Sequence, residues 1–179
     1  MSSGTVVVVS TDPSTGERKE IDEYGCGTIF GEIACLIGCR RLASIIATSP
    51  GLMFTISGPV LRELTKSNLE LQERLWRTCG YRLSENLLVR NNEKPRREIR
   101  EMIHDMDLCC IDPHQKNIRF NARGDVILLQ GVAIVHDEKR DITEVVEAPD
   151  ILSDTIKLGG NFVYSVDFST DAKFMCHPR

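Results

Sequence analysis

The stretch Phe30–Ala47 reads FGEIACLIGCRRLASIIA, and it decides how the first part of the chain folds. A Gly-Glu pair opens a short apolar turn, and Arg41 follows Glu32 by nine residues, with the small residues Ala43 and Ser44 behind it. The carboxylate can accept a hydrogen bond from a sugar hydroxyl, and the guanidinium can neutralise a phosphate. The pattern therefore predicts a compact loop that binds a sugar phosphate.

The same stretch resembles the phosphate-binding cassette of cyclic-nucleotide-binding domains, which reads Phe-Gly-Glu-Ile/Leu, then Leu, then Arg-x-Ala-Ser/Thr-Val/Ile-x-Ala. The matching residues are Phe30, Gly31, Glu32, Ile33, Leu36, Arg41, Ala43, Ser44, Ile45 and Ala47, with no gap. The form with adjacent arginines is most similar to that of hyperpolarisation-activated and related ion channels. The structural alternative is a strand–turn–strand with an exposed glutamate and two solvated arginines, which this number of matches disfavours.

The resemblance implies a role for each cassette residue. Gly31 lets the backbone approach the ligand, Glu32 accepts a hydrogen bond from the ribose, and Arg41 binds the cyclic phosphate. A helical turn over Glu32–Leu36 would direct free N–H groups at the ligand. The predicted nucleotide-binding residues are Gly31, Glu32, Ile33, Ala34, Arg41, Leu42 and Ala43.

Two neighbouring positions decide the register and the choice of base. The family spacing assigns the phosphate to Arg41, whereas Arg40 is expected to be a solvated neighbour that adds positive potential. Leu42 stands where the channel cassettes commonly carry a threonine, whose hydroxyl can bond a guanine edge. Since an aliphatic residue lacks that hydroxyl, the sequence favours cAMP over cGMP as the ligand.

Composition excludes several classes of function. The 179 residues carry a net charge of −4 without a long basic run, which disfavours nucleic acid as a partner. No apolar run approaches about 18 residues, so we expect no direct membrane insertion. Seven cysteines, mostly in apolar surroundings, indicate buried thiols in a reducing, cytosolic compartment.

Neither a metal site nor a catalytic site is predicted. The spacing of Cys35, Cys39, Cys109, Cys110 and His114 fits no standard zinc pattern. Likewise, no nucleophile, base and orienting group stand at a supporting spacing among Ser14, Thr28, Ser44 and His104. We therefore expect a protein that is not an enzyme and has no cofactor besides the nucleotide ligand.

The residues around the cassette predict strands. Thr5–Ser10 is β-branched, Glu20–Ile29 enters the cassette with Gly25 and Gly27 as possible bulges, and Leu52–Ile56 follows it. A family β-roll has about eight strands, and its first three precede the part that this chain contains. We expect those amino-terminal strands to be absent, which would leave apolar strand edges unpaired.

Two helices are predicted next. Ser57 caps the first, with Pro59 in its first turn, and a capping box at Ser67–Glu70 opens the longer second one. Its apolar face is predicted to contain Leu69, Trp76, Cys79, Leu83 and Leu87. The resemblance implies that this helix covers the bound base as a lid, with Trp76 packing on the roll or stacking on the base and residues near Arg82–Leu88 better placed to reach it.

A boundary and a second β region follow. Asn91–Pro95 breaks the helix, and Arg96, Arg97 and Arg100 are expected on one solvated helical face, with a lipid-binding patch as the lesser alternative. The β-rich segments are Asn117–Asn121, Asp125–Val135, Asp141–Val146 and Phe162–Phe168, with turns at Gly124, Asp137–Asp141 and Gly159–Gly160. Because no second Gly-Glu…Arg cassette is found there, we interpret this half as a domain that binds no nucleotide. It would be a packing module, or it would complete the roll by strand exchange.

The predicted fold class is mainly β with helices (α+β). The expected organisation is a cyclic-nucleotide-binding β-roll with its lid helices over residues 1–90, a linker helix over 91–101, and a small β-sandwich or jelly roll over 102–179.

The order of a cassette, a helix and a ligand-free β domain resembles the cytoplasmic tail of sperm-type sodium/proton exchangers. This implies a cAMP-binding regulatory module, with weaker cGMP binding, on the cytoplasmic side of an ion transporter or channel in the cell or flagellar membrane. Its expected partners are the cyclic nucleotide, the transmembrane part of the same parent protein and further copies of itself in a homo-oligomer. The alternative is a degenerate or truncated roll that serves subunit interaction without binding a ligand.

Overall fold

The computed structural model describes residues 1–11, 14–91, 94–111, 119–123, 125–137, 141–152, 163–169 and 171–177. These residues form a mixed α+β fold, which confirms the predicted class. The chain divides into two units, Met1–Leu75 and Trp76–Arg179. The three-part division at residues 90 and 101 stays a prediction.

The first unit contains a three-stranded antiparallel sheet and two short helices. Its elements are β1 (Val6–Thr11), β2 (Arg18–Tyr24), α1 (Glu32–Ile37), β3 (Ser44–Ala47) and α2 (Gly58–Ser67). The central strand is β1, with β2 and β3 on either side of it. Three of the four valines of β1, namely Val6, Val8 and Val9, are the buried residues of this sheet, whereas Val7 is half-buried. The strand–helix–strand order of β2, α1 and β3 places the cassette residues on the connection between two strands.

Two strand predictions for this unit need correction. The second strand ends at Tyr24, and Gly25 accepts a turn hydrogen bond from the N–H of Thr28, so neither Gly25 nor Gly27 forms a bulge. The irregularity lies instead at Ile21, because Val8 pairs with Asp22 and Val9 pairs with Glu20. The predicted strand Leu52–Ile56 is reduced to an isolated bridge between Leu52 and Ser3.

The second helix-forming region begins with α3 (Leu69–Asn91), followed by α4 (Arg96–His104). The side chain of Asn68, and not that of Ser67, caps α3, because Asn68 Oδ1 accepts a hydrogen bond of 2.9 Å from the N–H of Leu71. The hydroxyl of Ser67 is already engaged with the carbonyl oxygens of Glu63 and Leu64 in the last turn of α2. The predicted capping box is therefore wrong by one residue.

Two four-stranded sheets form the β part of the second unit. Its strands are β4 (Asp107–Cys110), β5 (Arg119–Arg123), β6 (Val126–Gln130), β7 (Val132–Asp137), β8 (Ile142–Glu147), β9 (Asp150–Ile151), β10 (Val163–Phe168) and β11 (Lys173–Cys176). One sheet has the order β5-β10-β7-β8 and the other has the order β4-β11-β6-β9. A shared apolar core contains Leu128, Val135, Val166 and Phe174, which come from strands of both sheets. The arrangement is compatible with the predicted β-sandwich.

Strand β6 is buried on both of its faces. Val126, Ile127, Leu128 and Leu129 are all fully buried, which explains the continuous apolar run in the sequence. Val126 and Leu128 face the shared core, whereas a Cβ on Gly80 of α3 would lie 3.0 Å from Leu129 Cδ1. Helix α3 therefore covers the face of this sheet that the other sheet does not.

Several predictions fall partly or wholly outside the described residues. The turns at Gly124 and Gly159–Gly160, the start of the predicted strand Asn117–Asn121, and His114 are among them. Within the described part of the chain, no helix combines the length and apolarity that crossing a membrane requires.

Candidate functional site

Gly31 starts the cassette in a backbone conformation that favours glycine. It caps α1 with φ 83° and ψ 5°, and it provides no side-chain cap of its own. A residue with a Cβ would be strained at this dihedral angle. Helix α1 also ends on a left-handed glycine, Gly38, whose N–H donates 3.2 Å to the carbonyl oxygen of Ala34. Glycines therefore delimit the short helix at both ends.

Arg41 folds back onto the beginning of α1. Its Nη1 donates a hydrogen bond of 2.5 Å to the carbonyl oxygen of Gly31. A Cβ on Gly31 would lie 2.8 Å from the same nitrogen, so any other residue would require the guanidinium to move in addition to straining the backbone. The sequence prediction paired these two residues through a ligand, and the structure places them in direct contact.

Glu32 is buried at the first position of α1, with a relative exposure of 2%. Within α1, all of whose residues are described, it is the only buried residue. A carboxylate in the first turn of a helix lies at the end that favours negative charge. Its burial beside the Gly31–Arg41 contact places an acidic and a basic side chain at the same end of α1.

The remaining predicted site residues surround this contact. Ile33 and Ala34 continue the first turn of α1 and are half-buried, as is Ala43 beyond the arginines. Leu42 is 38% exposed, so its side chain is accessible from solvent. Arg40 is also exposed. The structure thus gathers Gly31, Glu32 and Arg41 at one end of α1, with the other residues on the adjoining backbone.

Sequence reasoning missed one side chain that contacts the cassette. Arg62 of α2 donates from Nη1 to the carbonyl oxygen of Cys35 near the end of α1, over a long distance of 3.4 Å. The start of α2 approaches at the same point, because a Cβ on Gly58 would lie 3.5 Å from Cys35 Sγ. A basic residue in an amphipathic helix carries no sequence signal for such a contact, since its partner lies 27 residues away.

An aromatic pair fixes the approach to the cassette. The rings of Tyr24 and Phe30 stack with centroids 6.4 Å apart and an interplanar angle of 22°. Tyr24 is the last residue of β2, and Phe30 directly precedes Gly31. Offset stacking of this kind contributes about 0.5–1.5 kcal/mol beyond the burial of area. The pair ties the cassette to the strand before it.

The predicted lid residues belong to the second unit. Trp76 is buried there, and the ammonium of Lys173 lies 4.7 Å from the centroid of its ring. Further along α3, Leu83 and Leu88 are also buried. Trp76 therefore packs with a residue of the second unit, and the prediction that a residue of Arg82–Leu88 reaches the base stays a prediction.

One comparison with known proteins, the match to a family model, agrees with the cassette. Residues 1–68 match the family model described as the cyclic nucleotide-binding domain. This matched segment lies wholly within the first unit, Met1–Leu75. The resemblance predicted from Phe30–Ala47 is therefore confirmed for these residues. A search of the curated proteins found no match.

Among solved structures, similar chains include regulatory parts of protein kinase A. The cAMP-bound protein PfPKA-R is 11% identical, with a TM-score of 0.39 over 99% of this chain. The regulatory domain of Toxoplasma gondii PKA, crystallised with cAMP, is 15% identical with a TM-score of 0.38 over 98% of this chain and 67% of its own. A regulatory subunit from Trypanosoma cruzi, bound to guanosine, is 13% identical with a TM-score of 0.37 over 97% of this chain and 61% of its own. This chain spans 62% of the length of PfPKA-R.

Proposed function

We propose that the first unit binds a cyclic nucleotide and that the chain is a regulatory module. Arg41 binds the cyclic phosphate, Glu32 accepts a hydrogen bond from the ribose, and Gly31 lets the ligand approach the backbone. The same site includes Ile33, Ala34, Leu42 and Ala43. The contact between Arg41 and Gly31 supports this proposal most directly, because it holds the guanidinium at the beginning of α1.

Arg41 can exchange its hydrogen bond to the Gly31 carbonyl oxygen for stronger hydrogen bonds to an anion. Arg41 is exposed and bonded through Nη1 to a neutral carbonyl oxygen. Hydrogen bonds between a guanidinium and a phosphate are charge-assisted and two-pronged, so they are stronger than a bond to a neutral acceptor. The first N–H groups of any α-helix have no partner within the helix, and those at the beginning of α1 can add further donors. A cyclic phosphate therefore fits this end of α1.

The accessible side chain of Leu42 favours cAMP as the nucleotide. It is aliphatic and cannot hydrogen-bond the polar edge of guanine. It therefore does not replace the hydrogen bonds to water that the guanine of cGMP loses on binding. We propose that cAMP binds more tightly and cGMP more weakly, and that the site needs no metal or further cofactor.

The regulatory part of the proposal concerns the parent protein. We propose that the chain lies on the cytoplasmic side of a membrane ion transporter of the sodium/proton exchanger type, or of a channel, and that it assembles as a homo-oligomer without catalytic activity. The order of the cassette, α3 and a β unit without a second cassette supports this assignment. A ligand would act by favouring one helix arrangement over another, which requires different affinities for the two.

A second function, subunit interaction without ligand binding, is favoured by the apolar surface of the first unit. Phe54 is 80% exposed, and Leu52 and Ile56 beside it are more than half exposed. Surfaces of this kind mark interaction sites when they are contiguous. Under this alternative the cassette would be a remnant of a nucleotide site.

Titration of the chain with cAMP and cGMP in a calorimeter tests the proposal. Arg41→Ala should weaken cAMP binding by more than about tenfold, since a charge-assisted hydrogen bond contributes about 1.5–3 kcal/mol. Arg40→Ala is the matched control, because it removes the same charge from the neighbouring exposed position and should change affinity far less. Folded wild-type chain that gives no heat with either nucleotide would favour the interaction function. A larger effect of Arg40→Ala would show that Arg40, and not Arg41, binds the phosphate.

A further inference from the structure

Two cysteines meet in the sheet β4-β11-β6-β9 of the second unit. The sulfur atoms of Cys109 and Cys176 lie 3.7 Å apart, within the distance of a sulfur hydrogen bond. Cys109 belongs to β4 and Cys176 to β11, and both residues pack on the shared core. Their proximity therefore depends on the fold, since 67 residues separate them along the chain.

The strand register explains why the two side chains share a face. Cys109 pairs with Phe174, and Phe174 precedes Cys176 by two residues on the same strand. Directly paired residues point to the same side of a sheet, as do alternate residues along a strand. Cys109 and Cys176 are thus diagonal neighbours on the core face, whereas Cys110 points to the opposite face.

We propose that Cys109 and Cys176 form a reversible intramolecular disulfide when the protein is exposed to a peroxide. A disulfide has a sulfur separation of about 2.05 Å, so the two sulfurs must approach each other by roughly 1.7 Å from their present distance. Strand β4 is at the edge of its sheet, and β11 is the only described strand that pairs with it, so a shift of β4 would disturb a single described ladder.

Exposure assigns the order of the two steps. Cys109 is half-buried, whereas Cys176 is 7% exposed, so a small peroxide reaches Cys109 first. The thiolate of Cys109 attacks one peroxide oxygen and becomes a sulfenic acid, and the other oxygen leaves as hydroxide and is protonated to water. The thiol of Cys176 then attacks the sulfenic sulfur, which forms the S–S bond and releases the second water. Two thiols are oxidised and one hydrogen peroxide is reduced to two waters.

The bond would join an edge strand to the centre of its sheet. Strand β4 follows α4 after a gap of two residues, and among the described strands it is β11 that attaches it to the sheet. A covalent link at Cys109 holds this strand even when its hydrogen bonds open. Local opening of β4 should therefore become rarer in the oxidised protein.

Peptide mapping of the whole chain without reduction tests this inference. After treatment with hydrogen peroxide, a linked peptide pair containing Cys109 and Cys176 should be found two hydrogens lighter than the separate peptides. It should exceed any pair that links Cys110 to Cys176 by at least about tenfold, since the geometry, and not exposure alone, selects the partner. Thioredoxin should then restore both thiols.

Cys110→Ser is the matched control, because Cys110 is the more exposed neighbour and its replacement should leave the Cys109–Cys176 link intact. Cys109→Ser should abolish the link, and amide exchange over Asp107–Cys110 should then no longer slow on oxidation. Cys176 is buried, so replacing it risks unfolding the protein. The test therefore needs no Cys176 variant and compares wild type with Cys109→Ser and Cys110→Ser. Predominant links through Cys110, or oxidation of Cys109 without a link, would overturn the inference. The result is independent of cyclic-nucleotide binding.

Discussion

A β-carbon at position 31 would lie 2.8 Å from Nη1 of Arg41, so the absence of a side chain on Gly31 makes room for the guanidinium. The same glycine presents its carbonyl oxygen to that nitrogen. The two residues therefore act as a matched pair, in which one supplies the charge and the other supplies the space and the acceptor.

Replacing Gly31 by alanine should reduce cAMP affinity by more than about tenfold, because the methyl group displaces the Arg41 guanidinium. Gly38→Ala is the matched control. Gly38 also has a left-handed φ, 79°, but a Cβ there meets nothing within 4 Å. Both variants should lose about 1–2 kcal/mol of folding stability. Calorimetric titration and urea unfolding measure the two effects, and equal losses of affinity would contradict the argument.

Leu42→Thr should narrow the difference between cAMP and cGMP affinity, mainly by improving cGMP binding. One added hydrogen bond of about 1 kcal/mol corresponds to a change of several-fold. Leu42→Val is the control, because valine has the shape of threonine without the hydroxyl and should leave the ratio of affinities nearly unchanged. Parallel titrations with both nucleotides provide the measurement. Tighter cGMP than cAMP binding by the wild type would reject the assignment of Leu42.

Ser84→Ala should stabilise the second unit by about 1 kcal/mol or more. The hydroxyl of Ser84 is fully buried in α3 and has no hydrogen-bond partner among the described residues, so the folded state loses its hydration without compensation. Alanine also has the higher helix propensity. Urea unfolding followed by the fluorescence of Trp76, the single tryptophan of the chain, reports on this unit. A loss of stability would show that the hydroxyl is satisfied.

Glu85→Gln should destabilise the second unit by about 1–3 kcal/mol, since Glu85 accepts charge-assisted contacts from two arginines. Its Oε1 lies 2.8 Å from Arg100 Nε and 2.6 Å from Arg96 Nε, and its side chain is 6% exposed. The Arg96 Nε–H is not aligned for a hydrogen bond, so that contact is an ion pair by distance.

Arg97→Ala provides the control for Glu85. Arg97 lies on the same helix as Arg96 and Arg100, but its pair with Glu101 is largely exposed to solvent. Exposed pairs contribute at most about 1 kcal/mol, so unfolding in urea should hardly change. If Arg97→Ala cost as much as Glu85→Gln, the burial of Glu85 would not explain its effect.

Stability should fall at acid pH in part through Asp171. The hydroxyl of Ser169 donates a hydrogen bond of 2.8 Å to the carboxylate of Asp171. This bond is the main reason why the pKa of Asp171 lies below its ordinary value. Because the folded pKa is the lower one, this contribution is complete above the unfolded pKa and is lost as the pH falls through the folded pKa. Asp171→Asn should therefore reduce the acid dependence of urea unfolding below about pH 4. An unchanged slope would contradict this origin.

The cassette could be predicted from the sequence because its geometry depends on neighbouring residues. Gly31, Glu32 and Arg41 lie within one short segment, and the left-handed glycine and the helix that it starts are local features. The β-rich segment Asp125–Val135 was also predicted, although Gly131, with its positive φ, divides it into β6 and β7.

Contacts between distant residues were not predicted. Arg96 and Arg100 were expected on a solvated face together with Arg97, yet both contact Glu85 on the preceding helix. The prediction is wrong for Arg96, which is half-buried, whereas Arg100 is exposed as expected and pairs with Glu85 in addition. Helical periodicity does not show which neighbouring helix carries a buried acid. Likewise, β4 and β11 were missed, since each is only four residues long and forms by pairing with a distant strand.

The apolar residues after the cassette mark another limit. Leu52–Ile56 has the composition of a strand, but Phe54 and Ile56 are exposed and only Leu52 makes a bridge. Sequence patterns report the preference of side chains for a pleated surface, and a strand forms only where a partner strand is present. The helical residue Leu69 shows a similar limit. It is 76% exposed although it has the spacing of a buried residue, because spacing alone does not show whether another element covers it.

The attachment of two arginines to one buried carboxylate has a mechanical consequence for α3 and α4. Sliding either helix by a turn would separate Glu85 from both guanidinium groups and leave a buried charge without compensation. We therefore expect α3 and α4 to move together at Glu85 and not to slide past each other. Strand β4, which lies at the edge of its sheet, begins only two residues after α4 ends. A small rotation of α3 would thus displace α4 and, with it, strand β4.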